Sequence, residues 1–71
     1  MKYPQYIITS DGWIGAFAGL EYGEFPAYRF NGGSRIADNW EIENGTDDYS
    51  EAVRIAEARK AEHKARRAER A

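Results

Sequence analysis

Three small sets of residues have types and spacings that chemistry could use. Glu41 and Glu43 stand two apart, so on a strand they share one face, the arrangement of a general acid beside a general base. That work needs one carboxyl raised by burial, and nothing around Trp40-Glu41-Ile42-Glu43 implies it, so a solvent face is expected. His63 is the one histidine, among Lys60, Lys64, Arg66 and Arg67; the neighbouring cations and the absence of cysteine disfavour a metal site. Gly32-Gly33 would need a following Lys-Ser or Lys-Thr and a helix start to cradle phosphate, and neither follows. Ser10, Ser34 and Ser50 have no base nearby. No catalytic residue, metal or cofactor is expected.

Binding chemistry is better represented. Residues 1–48 carry three cations against eight anions, and residues 49–71 carry seven cations against four. The formal net charge of -2 therefore hides an acidic half and a basic half. The acidic half holds Asp11, Glu21, Glu24, Asp38, Glu41, Glu43, Asp47 and Asp48, together with nine of the ten aromatic residues, the tenth being Tyr49 just beyond it. Glu21, Glu24, Asp38, Glu41 and Glu43, with Tyr22 and Tyr28 as aromatic anchors, form the expected surface for a basic partner. The basic half offers Lys60, Lys64, Arg66, Arg67 and Arg70 as the alternative, a set suited to phosphates.

These residues need elements to hold them. Tyr6 to Ser10 and Trp13 to Phe17 flank Asp11-Gly12, a two-residue hairpin signal that sets Ile8 opposite Gly15 and Tyr6 opposite Phe17. In that register Tyr6, Ile8, Trp13 and Phe17 share one face, and Gly15 leaves room for a helix or a bulky aromatic. Leu20 to Glu24 reads as a turn, and Pro26 admits only a strand start or an edge. Ala27 to Phe30, the turn Asn31-Gly32-Gly33 and Ser34 to Ile36 make a second hairpin. Trp40 to Glu43 alternates as a further short strand, with Trp40 and Ile42 inward.

From Asp48 onward nothing interrupts a helix, and Asp48 with Glu51 resembles a capping box. Tyr49, Ala52, Val53 and Ala56 form its packing stripe, and the same face continues as Lys60, His63, Lys64, Arg67 and Arg70. Ala58, Ala61, Ala65 and Ala68 make an alanine seam behind it. The expected fold is α+β: a three- to four-stranded antiparallel sheet of two hairpins, with one long C-terminal helix packed on one face and overhanging it. Residues 1–61 form the single small domain, and residues 62–71 project as its basic, alanine-rich end.

A chain of 71 residues has a small core, burying only about 60% of its unfolded surface. Its aromatic load exceeds what one helix on one sheet face can hide, so exposed aromatics or a covering partner are expected. No apolar run approaches the roughly 18 residues of a membrane span, Met1 opens no basic-then-apolar leader, and the lack of cysteine fits a reducing compartment. A cytoplasmic protein without membrane attachment is expected.

Over residues 3–48, and most clearly at Tyr28-Arg29-Phe30-Asn31-Gly32-Gly33-Ser34-Arg35-Ile36-Ala37-Asp38-Asn39-Trp40-Glu41, the chain resembles small uncharacterised proteins of bacterial phages and mobile elements. That resemblance carries no activity. It implies an inhibitor or adaptor, of the anti-defence or anti-CRISPR kind, that presents carboxylates to the basic groove of a larger host or phage protein. A nucleic-acid-binding accessory protein is the second expectation, and a structural homodimer the third.

Overall fold

A computed structural model describes residues 3–70, with side chains through residue 67. Four strands run in the order β1 (Tyr6–Ile8), β2 (Ile14–Glu21), β3 (Phe25–Phe30) and β4 (Gly33–Ile36), each antiparallel to its neighbour. A short helix α1 (Asn39–Glu43) and a long helix α2 (Tyr49–Arg70) follow. A four-stranded antiparallel sheet with a C-terminal helix is thus the observed α+β architecture. No helix among the described residues is long and apolar enough to cross a membrane.

The first hairpin differs from expectation by one residue. Tyr6 stands opposite Ala16, Ile7 opposite Gly15 and Ile8 opposite Ile14. The loop is three residues, not two: the Thr9 amide donates to the Trp13 carbonyl at 2.8 Å, and Gly12 closes the turn at φ +95°. The Thr9 hydroxyl reinforces it, donating to Asp11 Oδ1 at 2.5 Å and accepting from the Trp13 amide at 2.8 Å. A one-residue slip exchanges faces. Ile7 and Tyr28 are therefore buried with Ala37, packed by Phe17, Phe30 and Ile42, while Ile8 is buried with Ala52 and Ala56, packed by Tyr6, Ile14 and Ile55. The space over Gly15 is filled by an aromatic: an added Cβ would lie 2.5 Å from Phe30 Cζ.

Trp40 to Glu43 is not a strand. Asp38 caps α1, its Oδ1 accepting from the Glu41 amide at 2.8 Å, while Glu41 Oε1 accepts from the Asp38 amide at 3.2 Å. That reciprocal pair satisfies two donors that a helix start otherwise leaves open. Trp40, expected inward, is exposed, and Glu41, expected outward, is buried.

Helix α2 begins as expected at Asp48, whose Oδ1 accepts from the Ser50 amide at 3.0 Å. Glu51 does not complete a capping box: the Asp48 amide donates to Thr46 Oγ1 at 3.2 Å, and Glu51 pairs with Arg54. The buried positions are Ala52 and Ala56, with Ile55 beside them; Val53 is half-buried and Tyr49 is exposed, its ring edge-on to Tyr6 at 5.4 Å. Two alanines let the helix backbone approach closely, and an added Cβ on Gly12 would lie 2.8 Å from the Ala56 carbonyl.

The outer edge of β1 is closed. The Gln5 carbonyl accepts from the Phe17 amide and the Thr9 amide donates to the Trp13 carbonyl, leaving the peptide groups of Tyr6 and Ile8 outward, while the Gln5 amide donates to Asp47 Oδ1 at 2.9 Å. Tyr6 exchanges hydrogen bonds of 2.8 and 2.9 Å with Thr46, and Ile8's carbonyl accepts from Arg59 Nη1 at 2.5 Å. The Arg59 guanidinium also lies 4.7 Å from the centre of the Trp40 ring, tying α2 to α1.

Candidate functional site

The expected acidic surface separates into structural and exposed parts. Glu41 is only 5% exposed and forms a two-pronged ion pair with Arg35, at 2.7 Å from Nη1 to Oε1 and 2.6 Å from Nη2 to Oε2. The Arg35 hydrogen bonds hold the Glu41 carboxyl below its ordinary value, against the opposing effect of burial. Arg35 in turn lies 4.8 Å from the centre of the Phe30 ring, so the pair clamps α1 to the β3–β4 hairpin. Asp38 is spent on the α1 cap. Tyr28 is fully buried, and its hydroxyl donates to the Pro4 carbonyl at 2.5 Å. Burial, with Asp47's charge behind it, pushes that phenol up to about 12. Glu41 and Tyr28 are therefore corrected from partner contacts to parts of the scaffold.

Glu21, Tyr22, Glu24 and Glu43 remain exposed. The first three form the tip of the β2–β3 hairpin. A bulge between Phe17 and Gly19, with Gly19 at φ +110°, re-aims the end of β2 before Leu20 pairs with Pro26 and Glu21 with Phe25. The chain reverses through Tyr22 at φ +51° and Gly23 at φ +83°, with the Glu24 amide donating to the Glu21 carbonyl at 3.3 Å. Two successive positive φ values are a type I′ turn, whose first position favours Asn or Asp over an aromatic residue. Tyr22 is nonetheless 84% exposed there, so no packing inside the chain compensates the strain. Leu20 at 52% and Phe25 at 47% exposure stand just behind it.

Below the tip a cleft of about 460 Å³ is lined by Tyr3, Phe25, Pro26 and Ile42, with Glu24 and Glu43 among its polar groups. Glu24 from the turn and Glu43 from α1 thus share one apolar floor, and Glu21 lies outside that lining. Leu20 and Phe25 were not legible as part of this surface. The signal for them is Tyr22-Gly23-Glu24 read as a three-residue hairpin loop between longer strands.

The basic set lies elsewhere. Lys60, His63, Lys64 and Arg67 line one groove of about 560 Å³ on α2, with Asp11 from the β1–β2 turn as its one acid. Every residue from Lys60 to Arg67 is exposed, and no ion pair among the described residues involves these cations. Arg66 is exposed beside this groove without lining it, and the side chain of Arg70 lies outside the described residues. Asp11 is held below its ordinary value chiefly by the Thr9 hydroxyl, with a smaller contribution from His63. Among the described residues no group of three or more His, Asp or Glu side chains is placed to hold a metal ion. Compared with known proteins, the chain matches no family model, no curated protein and no solved structure.

Proposed function

We propose that the protein is a non-catalytic protein-binding module, an inhibitor or adaptor whose β2–β3 hairpin end docks on a basic groove of a larger protein. The observation that carries this reading is Tyr22, an aromatic side chain 84% exposed on a left-handed backbone position between Glu21 and Glu24. An exposed tyrosine with Leu20 and Phe25 beside it supplies anchors of the kind that dominate protein interfaces, and the flanking carboxylates steer a basic surface toward them. Residues 1–61 carry this face, and α2 overhangs the sheet with residues 62–71 as a separate basic arm. The resemblance to proteins of phages and mobile elements is in keeping with a partner from a host defence system.

The test is quantitative capture from cells, comparing the intact protein with Tyr22→Asn and with Glu21→Lys plus Glu24→Lys. Asn suits the turn, so Tyr22→Asn keeps the fold and raises the thermal midpoint by relieving about 1 kcal/mol of backbone strain. A partner bound by the intact chain and lost from both variants is the expected result. Equal capture by all three forms removes the hairpin end from the interface.

A further inference from the structure

We propose that the face of α2 from Lys60 to Arg67 binds the phosphate backbone of a nucleic acid, separately from the hairpin end. Lys60, His63, Lys64 and Arg67 line a single groove. At 1.5 Å per residue, Lys60, Lys64 and Arg67 follow one another about 6 and 4.5 Å apart along the helix axis. Glu62 sits about 140° round the helix from Arg67, so the acid of this segment faces away.

Two internal explanations for these cations fail. Complementing the helix dipole needs cations in the last turn; Arg67 stands there, but Lys60 and Lys64 lie ten and six residues before Arg70 and are left unexplained by it. Pairing with the acidic half would need carboxylates within reach, but Glu41 is taken by Arg35, and Lys60, Lys64 and Arg67 form no ion pair among the described residues. The groove's Asp11 is already bonded to Thr9 at 2.5 Å and offsets one charge only.

The chemistry of the groove selects the ligand. Insertion into a membrane surface needs a large apolar face, and α2 has no large aliphatic or aromatic residue beyond Ile55. A protein hot spot needs a pocket for an anchor side chain, and the groove's lining residues are Asp11, Lys60, His63, Lys64 and Arg67, with no core-type apolar side chain to complete one. A phosphate backbone needs only closely spaced cations on a convex rod. A helix about 10–12 Å across also fits a major groove about 12 Å wide.

Net charge does not oppose this. The meander puts the Glu21–Glu24 turn at the end of the sheet opposite the Asp11 turn, one β2 length away. Eight residues of strand span about 26 Å, against a screening length of about 8 Å at physiological salt. A phosphate at the groove is therefore largely screened from the acidic tip.

The experiment measures fluorescence anisotropy of a labelled random-sequence duplex DNA titrated with the intact chain at several salt concentrations. The comparison is Lys60→Gln with Lys64→Gln and Arg67→Gln; Gln keeps the Cγ that packs over Gly12. Binding is expected in about 50 mM salt, with a log K against log salt slope of roughly -3 for three or four contacts. The triple variant should bind at least about tenfold more weakly with unchanged circular dichroism, and Glu21→Lys plus Glu24→Lys should bind no worse than the intact chain. That last arm separates this proposal from the hairpin reading. No binding at low salt, an unaffected triple variant, or tighter binding to phosphatidylserine vesicles or polyglutamate than to DNA would overturn it.

Discussion

Glu41 and Glu43 begin as equivalent carboxylates two positions apart, and the fold gives them opposite roles. Glu43 stays exposed, whereas Glu41 accepts from Arg35 and from the Asp38 amide and is buried. Its carboxyl is held below the ordinary 4.5, so the folded state binds the proton more weakly than the unfolded chain. The resulting stabilisation is complete above that ordinary value and is lost as pH falls through the lower folded value. Glu41→Gln should therefore lower stability near neutral pH by about 1–3 kcal/mol, a range discounted because Arg35 is half exposed. It should also flatten the acid limb. Urea midpoints of both proteins between neutral and acid pH test this: the gap should narrow as pH drops below 4.5. Parallel curves would show that Glu41 does not titrate differently in the folded state.

At the scale of elements, the sheet and the long helix were legible because each repeats its own signal. Tyr28 and Phe30 alternate before a glycine turn, and nothing between Asp48 and the chain end breaks a helix. Helix α1 was misread because four residues are too few to separate the strand period from the helix period. The capping-box spacing Asp38–Glu41 was the better signal there, and it also decides which carboxylate turns inward. The β1–β2 register failed for a local reason: Asp11-Gly12 suits a two-residue loop, but Thr9 bonds Asp11 and Trp13 and adds a residue. The helix stripe keeps Ala52 and Ala56 as expected but turns toward Ile55 rather than toward Tyr49 and Val53, and this yields a test. Ala52 has no exposed surface and Val53 is half-buried. Ala52→Asp forces an unpaired carboxylate against Ile8, whereas an Asp at position 53 can turn toward water. Ala52→Asp should therefore cost at least about 1 kcal/mol more than Val53→Asp in urea unfolding. Equal losses would mean that the helix packs through the Val53 face.

Taken whole, the molecule is a charge-separated rod, with principal extents of 43 × 22 × 20 Å. Glu21 and Glu24 with exposed Tyr22 and Phe25 lie at the β2–β3 end, whereas Trp13 is exposed beside the opposite turn, where Lys60, Lys64 and Arg67 line the groove on α2. This separation keeps the cations of α2 away from the carboxylates of the β2–β3 turn. It also predicts that stability and charge are divided along α2. The buried helix positions are Ala52 and Ala56, and Lys60 is the last α2 side chain shown against the turn at Gly12. Residues 62–67 are all exposed, and exposed positions usually contribute within about 0.5 kcal/mol each way. Ending the chain after Ala61 should therefore move the thermal midpoint by no more than about 4 °C, while removing His63, Lys64 and Arg67 from the groove. Differential scanning calorimetry and the DNA titration, run on the same truncated protein, read the two properties separately. A retained fold with lost DNA binding is the expected pair of results. A collapse of the calorimetric transition would show that the basic segment is part of the folded core, and its cations would then serve the chain itself.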